Sequence, residues 1–548
     1  MSFQRASALQ RLDAGETFDV LVIGGGITGA GCALDAASRG LSVALVERHD
    51  FASGTSSKSS KLVHGGLRYL QQREVGLVYE ALAERQVLRT TAPHLVRILP
   101  FLLPVFKGRD NLFDRRIARI VGTSMWLYDF TGGARIGKLH KKLTTDQARE
   151  HMPSLRADRV AYSYLYYDAR TDDARLTLTI ARTAADLGAT ILNYATVVDL
   201  RKEHGRCTGA TVSVDGRTIE VRARAVVNAT GVWADDVRAL DEGTHPSSIR
   251  PAKGVHITVP WAKVRNDIAA VVPVPKDRRS VFVVPWGDTG TGEPEFTYIG
   301  TTDTDYDGDT DDPQCTPGDV EYLIRAINFS TDANITEADV LGTWAGLRPL
   351  VKAAGDSRTT DLSRKHSVRR SPSGLVTVTG GKLTTYRRMA ADTVDMAEEP
   401  IDRKTRSRTK HVQLAGAEGW DRAGLSEHLK SRYGALGRDV EAIASGDAAL
   451  RAPLVAGAPY TRAEAVYAVR EEMATSVDDV LSRRTRARLL ARDASATAAD
   501  DVAALIGSEL GWSDEERAAQ AAAYRSAIEH ERASISPPEQ VLDASTGA

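Results

Sequence analysis

The chain contains 548 residues, of which 42% are hydrophobic and 26% are charged, and its formal net charge is −1. This length is too great for one hydrophobic core, so two or three domains are expected. The near-zero net charge provides no overall attraction to a polyanion, which argues against nucleic acid as a partner. The three cysteines are too widely spaced for a disulfide framework or a metal site, which fits a reducing compartment: Cys32, Cys207 and Cys315.

Neither a secretory signal nor a membrane-spanning helix is predicted from the sequence. The first twenty residues lack the apolar core of a signal peptide. No stretch reaches the roughly 18 consecutive apolar residues of a spanning helix. The apolar run 95–106 is interrupted by Arg97, Pro100 and Pro104. Any action at a membrane would therefore take place at its surface.

Residues 19–47 have the pattern of a strand, a glycine turn, a helix and a second strand. The turn has the spacing G-x-G-x-x-G, and an acidic residue ends the second strand. Gly24 permits the tight turn, Gly26 lets a pyrophosphate approach the backbone, and Gly29 lets the helix pack on the sheet. Glu47 can accept hydrogen bonds from a ribose diol. The pattern predicts a dinucleotide site, with a glycine-rich turn in an ordinary α/β domain as the alternative, and it does not distinguish FAD from NAD.

Two further strand-and-turn segments, 225–231 and 375–381, can join the same sheet as the first. Between them, residues 246–350 contain several short runs typical of an antiparallel sheet. This interleaving favours a two-domain flavoprotein over an NAD dehydrogenase with one contiguous cofactor domain. A charged segment at 401–410 marks a boundary, and residues 411–548 have helical spacing.

Four widely separated strings resemble one family: SSKLVHGGLRYL, TWAGLRPL, GGKLTTYR and EEMATSVDDVLSRRTR. Together they are similar to the FAD-dependent glycerol-3-phosphate dehydrogenases of the bacterial respiratory type, over residues 16 to 500. The resemblance implies an α/β fold: a glutathione-reductase-type FAD-binding Rossmann domain, an inserted antiparallel substrate sheet and a C-terminal α-helical domain. The expected division is 1–90, 160–245 and 360–400 for FAD binding, 91–159 and 246–359 for the substrate-binding cap, and 401–548 for the helical domain.

The same resemblance implies oxidation of sn-glycerol 3-phosphate to dihydroxyacetone phosphate, with the hydride passing to flavin N5. Electrons would then pass to a membrane quinone, and the protein would be cytoplasmic and peripheral on the inner face of the cytoplasmic membrane. A soluble oxidase that reduces O2 to H2O2 shares nearly all of these motifs and remains the alternative. Neither an oxidase of another substrate, such as an amino acid, nor a silent flavin-binding scaffold would need the substrate-site residues. A homodimer is compatible with the sequence, which leaves the oligomeric state open.

By resemblance, six residues contact the substrate: Arg68, Tyr69, Arg348, Arg364, Lys382 and Thr384. Arg348 and Arg364 would bind the phosphate, because a guanidinium recognises it bidentately. Arg68 and Arg364 also fit ordinary surface cations. Lys382 would sit near the substrate or flavin and stabilise the charge of the reduced flavin, and Thr384 would hydrogen-bond either one. His256 is the predicted general base, with His64 as the second choice, because histidine titrates near pH 6.5; the catalytic set is thus His256, Lys382 and Arg348.

The predicted FAD-binding residues fall on the glycine turns, the serine-rich loop and one strand. Val198 is placed near the adenine from its strand position alone. The full set is Gly24, Gly26, Ile27, Thr28, Gly29, Glu47, Ser57, Ser59, His64, Val198, Ala229, Thr230, Gly231, Gly381 and Leu383.

Segment 113–130 alternates apolar and basic residues with helical spacing. A basic amphipathic helix that contains Trp and Tyr can lie in a membrane interface. An ordinary helix packed on the FAD-binding domain would have the same pattern. With the run 95–106, this segment is the predicted place of membrane or quinone contact.

Overall fold

The computed structural model describes residues 3–67, 74–107, 115–133, 136–277, 279–287, 294–351, 365–422 and 424–536. These residues form two large sheets and a C-terminal group of helices. None of the helices in these ranges is long and apolar enough to cross a membrane.

The first sheet has eight strands and is mostly parallel. Its strands are β1 (Thr17–Ile23), β2 (Val43–Val46), β7 (Thr190–Leu192), β8 (Thr196–Glu203), β9 (Arg206–Val214), β10 (Arg217–Asn228), β17 (Ser367–Arg370) and β18 (Val376–Thr379). The order is β17-β18-β10-β1-β2-β7, and only β17 runs antiparallel to its neighbour on this path. β8 and β9 extend the sheet as an antiparallel hairpin on β10. Consecutive apolar residues in β1 and β2 are buried on both faces, as expected for parallel strands between two layers.

The second sheet has ten strands and is mostly antiparallel. Its strands are β3 (Leu62–Val63), β4 (Arg97–Phe106), β5 (Lys141–Leu143), β6 (Val160–Arg170), β11 (Ile249–Pro260), β12 (Ala269–Pro273), β13 (Ser280–Trp286), β14 (Phe296–Gly300), β15 (Thr304–Asp305) and β16 (Gly342–Val351). The order is β15-β11-β14-β13-β12-β4-β6-β3, with β16 on β11 and β5 on β6. β12 and β4 form its one parallel pair among the described strands.

Two predicted placements differ from this arrangement. The sequence assigns residues 160–170 to the FAD-binding domain, whereas they form β6 and pair along their length with β4 in the second sheet. The run 95–106 is a predicted membrane contact, whereas β4 lies inside the second sheet and most of its side chains are buried. An apolar run satisfies either environment, so only the pairing of distant strands decides between them.

The helices of the first 400 residues cover the sheets. They are Arg5–Asp13, Ile27–Ser38, Val75–Thr91, Arg115–Tyr128, Thr145–His151, Asp173–Asp186, Ala234–Glu242, Trp261–Val264, Pro317–Ser330 and Tyr386–Glu398. Helix Ile27–Ser38 packs tightly in this layer, since a Cβ on Gly31 would lie 2.7 Å from the ring of Tyr386. Small side chains therefore bring these helices close to each other and hold the glycine turn in a fixed position.

The C-terminal domain is helical. Its helices are Glu427–Tyr433, Gly437–Gly446, Arg462–Glu472, Ala487–Leu490, Arg492–Thr497, Ala499–Leu510 and Asp514–Ile535, and a wide helical turn, Asp479–Arg484, precedes Ala487. Arginines at the end of this turn reach into the rest of the protein, where Arg484 donates to both carboxylate oxygens of Asp50 at 2.6 and 2.8 Å. The domain is thus joined by buried ion pairs to the loop that follows β2.

Candidate active site

A cavity of about 1240 Å³ lies where the two sheets meet. The first sheet contributes its glycine turn, the segment after β2 and the turns after β10 and β18. The second sheet contributes side chains of β4, β11, β13 and β16. Pockets for a single drug-sized ligand usually measure about 300–1,000 Å³. The cavity therefore has room for a dinucleotide together with a small substrate.

The first glycine turn has no space for side chains. Gly24 has φ +108°, and a Cβ there would lie 2.8 Å from the carbonyl oxygen of Ala229. A Cβ on Gly29 would lie 1.9 Å from the carbonyl oxygen of Gly24. Gly26 precedes helix Ile27–Ser38 and has no side chain to cap it, and the hydroxyl of Ser56 accepts from the N–H of Ile27. Gly26, Ile27 and Thr28 line the cavity, so the open helix end faces it and can bind a pyrophosphate.

Glu47 lies beside this turn at the end of β2. Its carboxylate oxygens accept hydrogen bonds from the backbone N–H of Gly25 at 2.6 Å and of His49 at 2.9 Å. Burial raises the pKa of Glu47, while these two N–H groups act in the opposite direction. Each oxygen keeps a second lone pair, so the group can still accept from a ribose hydroxyl.

The serine-rich loop reaches the cavity through residues different from some of those predicted. Ser56 lines the cavity and accepts from Ile27 N–H at 2.8 Å. Ser57 is buried outside the lining, and its carbonyl accepts from Lys61 Nζ at 3.0 Å. Ser59 lines the cavity, but its hydroxyl donates to Asp173 at 2.7 Å. The loop thus presents its backbone and Ser56 to the cofactor side, while Ser57 and Ser59 fix its shape.

The other predicted cofactor residues line the same cavity. Val198 is 45% exposed and, with the likewise exposed Leu240, gives one end of the cavity an apolar surface suited to an adenine. The turn after β10 and the turn after β18 also contribute to the lining: Ala229, Thr230, Gly231, Gly380, Gly381 and Leu383. The structure therefore brings these residues to one cavity.

His256 lies on β11 and is 2% exposed. Its ring stacks on Trp344 with centroids 4.8 Å apart, and its Nε2 lies 2.9 Å from the hydroxyl of Ser60. Burial, followed by the nearby charges of Lys61 and Arg348, holds the pKa of His256 well below its usual value. The imidazole is therefore neutral near pH 7, which is the form that a general base requires.

Arg348 projects from β16 into the same part of the cavity. Its guanidinium donates to Asp303 at 2.9 Å and to the hydroxyl of Thr301 at 3.2 Å. Arg279, also in the lining, donates to the carbonyl of Asp303. Two guanidinium groups anchored on one residue can together receive a phosphate.

Lys382 lies in the lining at the turn after β18, directly before the short helical turn Leu383–Thr385. Thr384 also lines the cavity, so its contact with the substrate or flavin stays a prediction. Its hydroxyl donates to the carbonyl of His64 at 3.4 Å and accepts from the N–H of His64 at 3.2 Å. Thr384 therefore ties this turn to the loop that carries His64, which also lines the cavity.

Three predicted substrate residues, Arg68, Tyr69 and Arg364, lie outside the described residues. Sequence reasoning in turn missed Ser60, Arg279 and Asp303, which all line the cavity. Ser60 belongs to a polar loop whose pattern does not distinguish it from its predicted neighbours. Asp303 has no local signal, because its partner Arg348 is 45 residues away along the chain.

The cradle without side chains, the open helix end and the acceptor Glu47 fit FAD. A dinucleotide cradle on a mostly parallel sheet, facing a mostly antiparallel sheet that contributes a buried histidine to the same cavity, is the arrangement of a flavoprotein oxidoreductase. The profile of the FAD dependent oxidoreductase family matches residues 19–396, and that of the C-terminal domain of alpha-glycerophosphate oxidase matches residues 407–517.

Named relatives agree over nearly the whole chain. Glycerol-3-phosphate dehydrogenase of Mycobacterium leprae is 42% identical over 98% of this chain and 92% of its own length. The human mitochondrial glycerol-3-phosphate dehydrogenase is 37% identical over 99% of this chain and 77% of its own. The structure of the Bacillus halodurans glycerol-3-phosphate dehydrogenase complexed with FAD is 30% identical, with a TM-score of 0.76 and 98% coverage of both chains. The chain belongs to the family of FAD-dependent glycerol-3-phosphate dehydrogenases.

Proposed function

We propose that the protein oxidises sn-glycerol 3-phosphate to dihydroxyacetone phosphate and passes the electrons to a membrane quinone. The observation that carries the proposal is the meeting of three distant segments in one cavity. His256, Arg348 and Lys382 line the cavity that also contains the dinucleotide cradle. A base, a phosphate ligand and a second cation are the groups that oxidation of a phosphorylated alcohol requires.

Each of the protein residues has a separate role in the proposed reaction. FAD, when bound, accepts the hydride from C2 of the substrate. His256 provides the basic nitrogen for the hydroxyl proton, because its depressed pKa keeps it neutral. Arg348 holds the phosphate and so fixes C2 in position. Such positioning can lower the activation barrier by several kcal/mol, and by about 7–11 kcal/mol at most.

Lys382 supplies positive charge near the site where negative charge develops during the reaction. It lies in the cavity lining beside Gly381, at the start of a short helical turn. Arg68, Tyr69 and Arg364 remain predicted substrate ligands from the resemblance.

The nature of the electron acceptor is a separate part of the proposal. The C-terminal profile match carries the name of an oxidase, so transfer to O2 with release of H2O2 is the second candidate. Both candidates share the substrate half of the reaction and differ only in how the reduced enzyme is reoxidised.

One experiment separates these candidates. The FAD-loaded protein is mixed anaerobically with glycerol 3-phosphate, and the flavin absorbance is followed before and after addition of a quinone analogue or air. Rapid bleaching that quinone reverses faster than air is the expected result. Faster reversal by air would favour the oxidase, and absence of bleaching with FAD bound would overturn the proposed substrate.

We also propose that the protein attaches to the inner face of the cytoplasmic membrane through an apolar patch. The patch consists of Trp126, Leu127, Phe130 and Leu139, of which Trp126 is 53% and Phe130 79% exposed. The two aromatic rings stack with centroids 6.1 Å apart. Exposed cations adjoin it in sequence, namely Lys138, Lys141 and Lys142. Exposed aromatic rings beside lysines suit the interface of an anionic bilayer.

Replacing Trp126 and Phe130 together by serine is expected to weaken binding to vesicles that contain phosphatidylglycerol by about tenfold or more, since two aromatic side chains no longer enter the interface. Co-sedimentation measures the effect. Leu187→Ser is the control, because Leu187 is 45% exposed and lies at the end of a different helix. Equal binding by both variants would contradict the assignment of the patch.

A further inference from the structure

Ser60 stands between the cavity and the imidazole of His256. Its hydroxyl oxygen lies 2.9 Å from His256 Nε2. Ser60 is half-buried and lines the cavity, whereas His256 is 2% exposed. Nε2 is therefore within hydrogen-bond distance of a serine hydroxyl that lines the cavity.

The rest of the imidazole is closely packed. His256 Nδ1 is buried and has no hydrogen-bond partner in the described part of the chain. One face of the ring is covered by Trp344, whose plane is inclined by 7° to that of the imidazole. At the ring edge, a Cβ on Gly300 would lie 2.0 Å from His256 Cδ2. Trp344 and Gly300 thus crowd the ring, and the polar group at Nε2 is the hydroxyl of Ser60.

We propose that Ser60 relays the substrate's hydroxyl proton to His256. This inference rests on the proposed function. As C2 loses its hydride and the C2–O bond becomes a carbonyl, the substrate's O–H bond breaks and its proton bonds to Ser60 Oγ. The proton of Ser60 bonds at the same time to His256 Nε2, which becomes an imidazolium. Ser60 returns to its starting form, and the two electrons of the substrate leave with the hydride.

The backbone of Ser60 is held firmly enough for such a transfer. Its carbonyl accepts from the hydroxyl of Tyr298 at 2.8 Å. The carbonyl of the preceding residue, Ser59, accepts from the indole N–H of Trp344 at 3.2 Å, so the residue that stacks on His256 also fixes the loop. Asp173 accepts from both the N–H and the hydroxyl of Ser59, at 2.9 and 2.7 Å.

The charges around the relay favour a neutral imidazole at the start. Lys61 and Arg348 act on His256 as cations and add to the effect of burial, which itself lowers its pKa most. Both cations are themselves paired, Lys61 with Asp173 at 2.9 Å and Arg348 with Asp303 at 2.9 Å. Tyr298, the other titratable group beside the ring, has a pKa raised by burial and stays neutral.

Single and double variants test the relay. Ser60→Ala and His256→Ala are each expected to lower the rate of flavin bleaching by glycerol 3-phosphate by about 10²-fold or more, the usual contribution of proton transfer. The double variant should lose no more than the worse single variant, because the two groups act in series. Ser60→Thr, which keeps the hydroxyl, should recover most of the rate.

Ser247→Ala is the matched control, since Ser247 hydrogen-bonds an exposed histidine, His245, at 3.2 Å and lies outside the cavity lining. It should bleach at the parental rate. A Ser60→Ala variant within about twofold of the parental rate, or additive losses in the double variant, would overturn the relay and leave the proposed function intact. Absence of bleaching in the parental protein would instead overturn the proposed function.

A labelling experiment tests the geometry without turnover. In the FAD-loaded protein, diethyl pyrocarbonate should modify His256 slowly because the ring is buried, and Ser60→Gly should raise the modification rate severalfold by uncovering Nε2. Mass spectrometry quantifies the modified peptide. Rapid modification of His256 in the parental protein would show that the imidazole reaches the cavity without Ser60, and would overturn the relay even if glycerol 3-phosphate is not the substrate.

Discussion

Replacement of His256 by glutamine is expected to lower kcat for glycerol 3-phosphate by about 10²–10⁴-fold and to change KM by less than about threefold. Glutamine keeps a polar group of similar size against Trp344 but cannot take up a proton. FAD content should stay at the parental level, because His256 lies on β11 and not on the glycine cradle. Steady-state kinetics with an artificial acceptor and the flavin absorbance of the purified protein measure the three quantities.

Arg348→Ala provides the contrasting case. Loss of the phosphate ligand should raise KM by about 10²-fold and lower kcat less, since that interaction is made in both the ground and the transition state. An unchanged KM would remove Arg348 from the phosphate site, and an unchanged kcat in His256→Gln would remove His256 as the base.

The pH dependence follows from the environment of the same histidine. Burial and the adjoining cations lower its pKa, so the neutral, proton-accepting form persists to lower pH than in a free histidine. The acid limb of the kcat/KM profile should therefore lie below pH 6.5, the usual value for this side chain. A limb centred above that value would contradict this assignment.

Local signals in the sequence were sufficient for the fold class, the cofactor and the family, and these predictions are confirmed. The spacing of Gly24, Gly26 and Gly29 identifies the cradle, and the structure shows a steric reason for two of them: a Cβ on Gly29 would meet Gly24 and a Cβ on Gly24 would meet Ala229 on the adjoining strand. These steric limits come from nearby residues of the chain or from a directly adjoining strand. The local sequence pattern is therefore enough to predict them.

Long-range contacts account for what the sequence did not reveal. Ser56, Ser59 and Ser60 line the cavity and Ser57 does not, and a polar loop has no periodicity that distinguishes its inner face. Thr384 lines the cavity as predicted, but no local pattern shows that its hydroxyl also meets the backbone of His64, 320 residues away. Such pairings depend on how separate segments meet, which no short window can encode.

The last of the four sequence strings that carry the family resemblance forms buried ion pairs in the structure. Within EEMATSVDDVLSRRTR, Arg484 is 1% exposed and its bidentate partner Asp50 is fully buried. Arg483 also donates to Asp50, at 2.6 Å. Burial alone would raise the pKa of Asp50, but the two guanidinium groups hold it below its usual value. Asp50 lies three residues after Glu47, so the C-terminal domain directly braces the loop beside the cofactor cradle.

Asp50→Ala is therefore expected to destabilise the protein by about 3–5 kcal/mol, because it leaves two buried guanidinium groups without this carboxylate. The thermal midpoint should fall by several degrees, and FAD should be released more readily because the loop after β2 loses its brace. Differential scanning calorimetry and flavin fluorescence during heating measure the two effects.

Glu509→Ala isolates burial as the cause. Arg470 donates to both carboxylate oxygens of Glu509, each at 2.7 Å, so this pair has the same bidentate geometry within the C-terminal domain. The Arg470 side chain is 51% exposed, however, and an exposed pair contributes only about 0–1 kcal/mol. Its loss should leave both the midpoint and FAD retention nearly unchanged. Equal losses in the two variants would mean that bidentate geometry, not burial at the junction of the domains, gives the Asp50 pair its strength; a harmless Asp50→Ala would show that the C-terminal domain does not brace the cofactor loop through this contact.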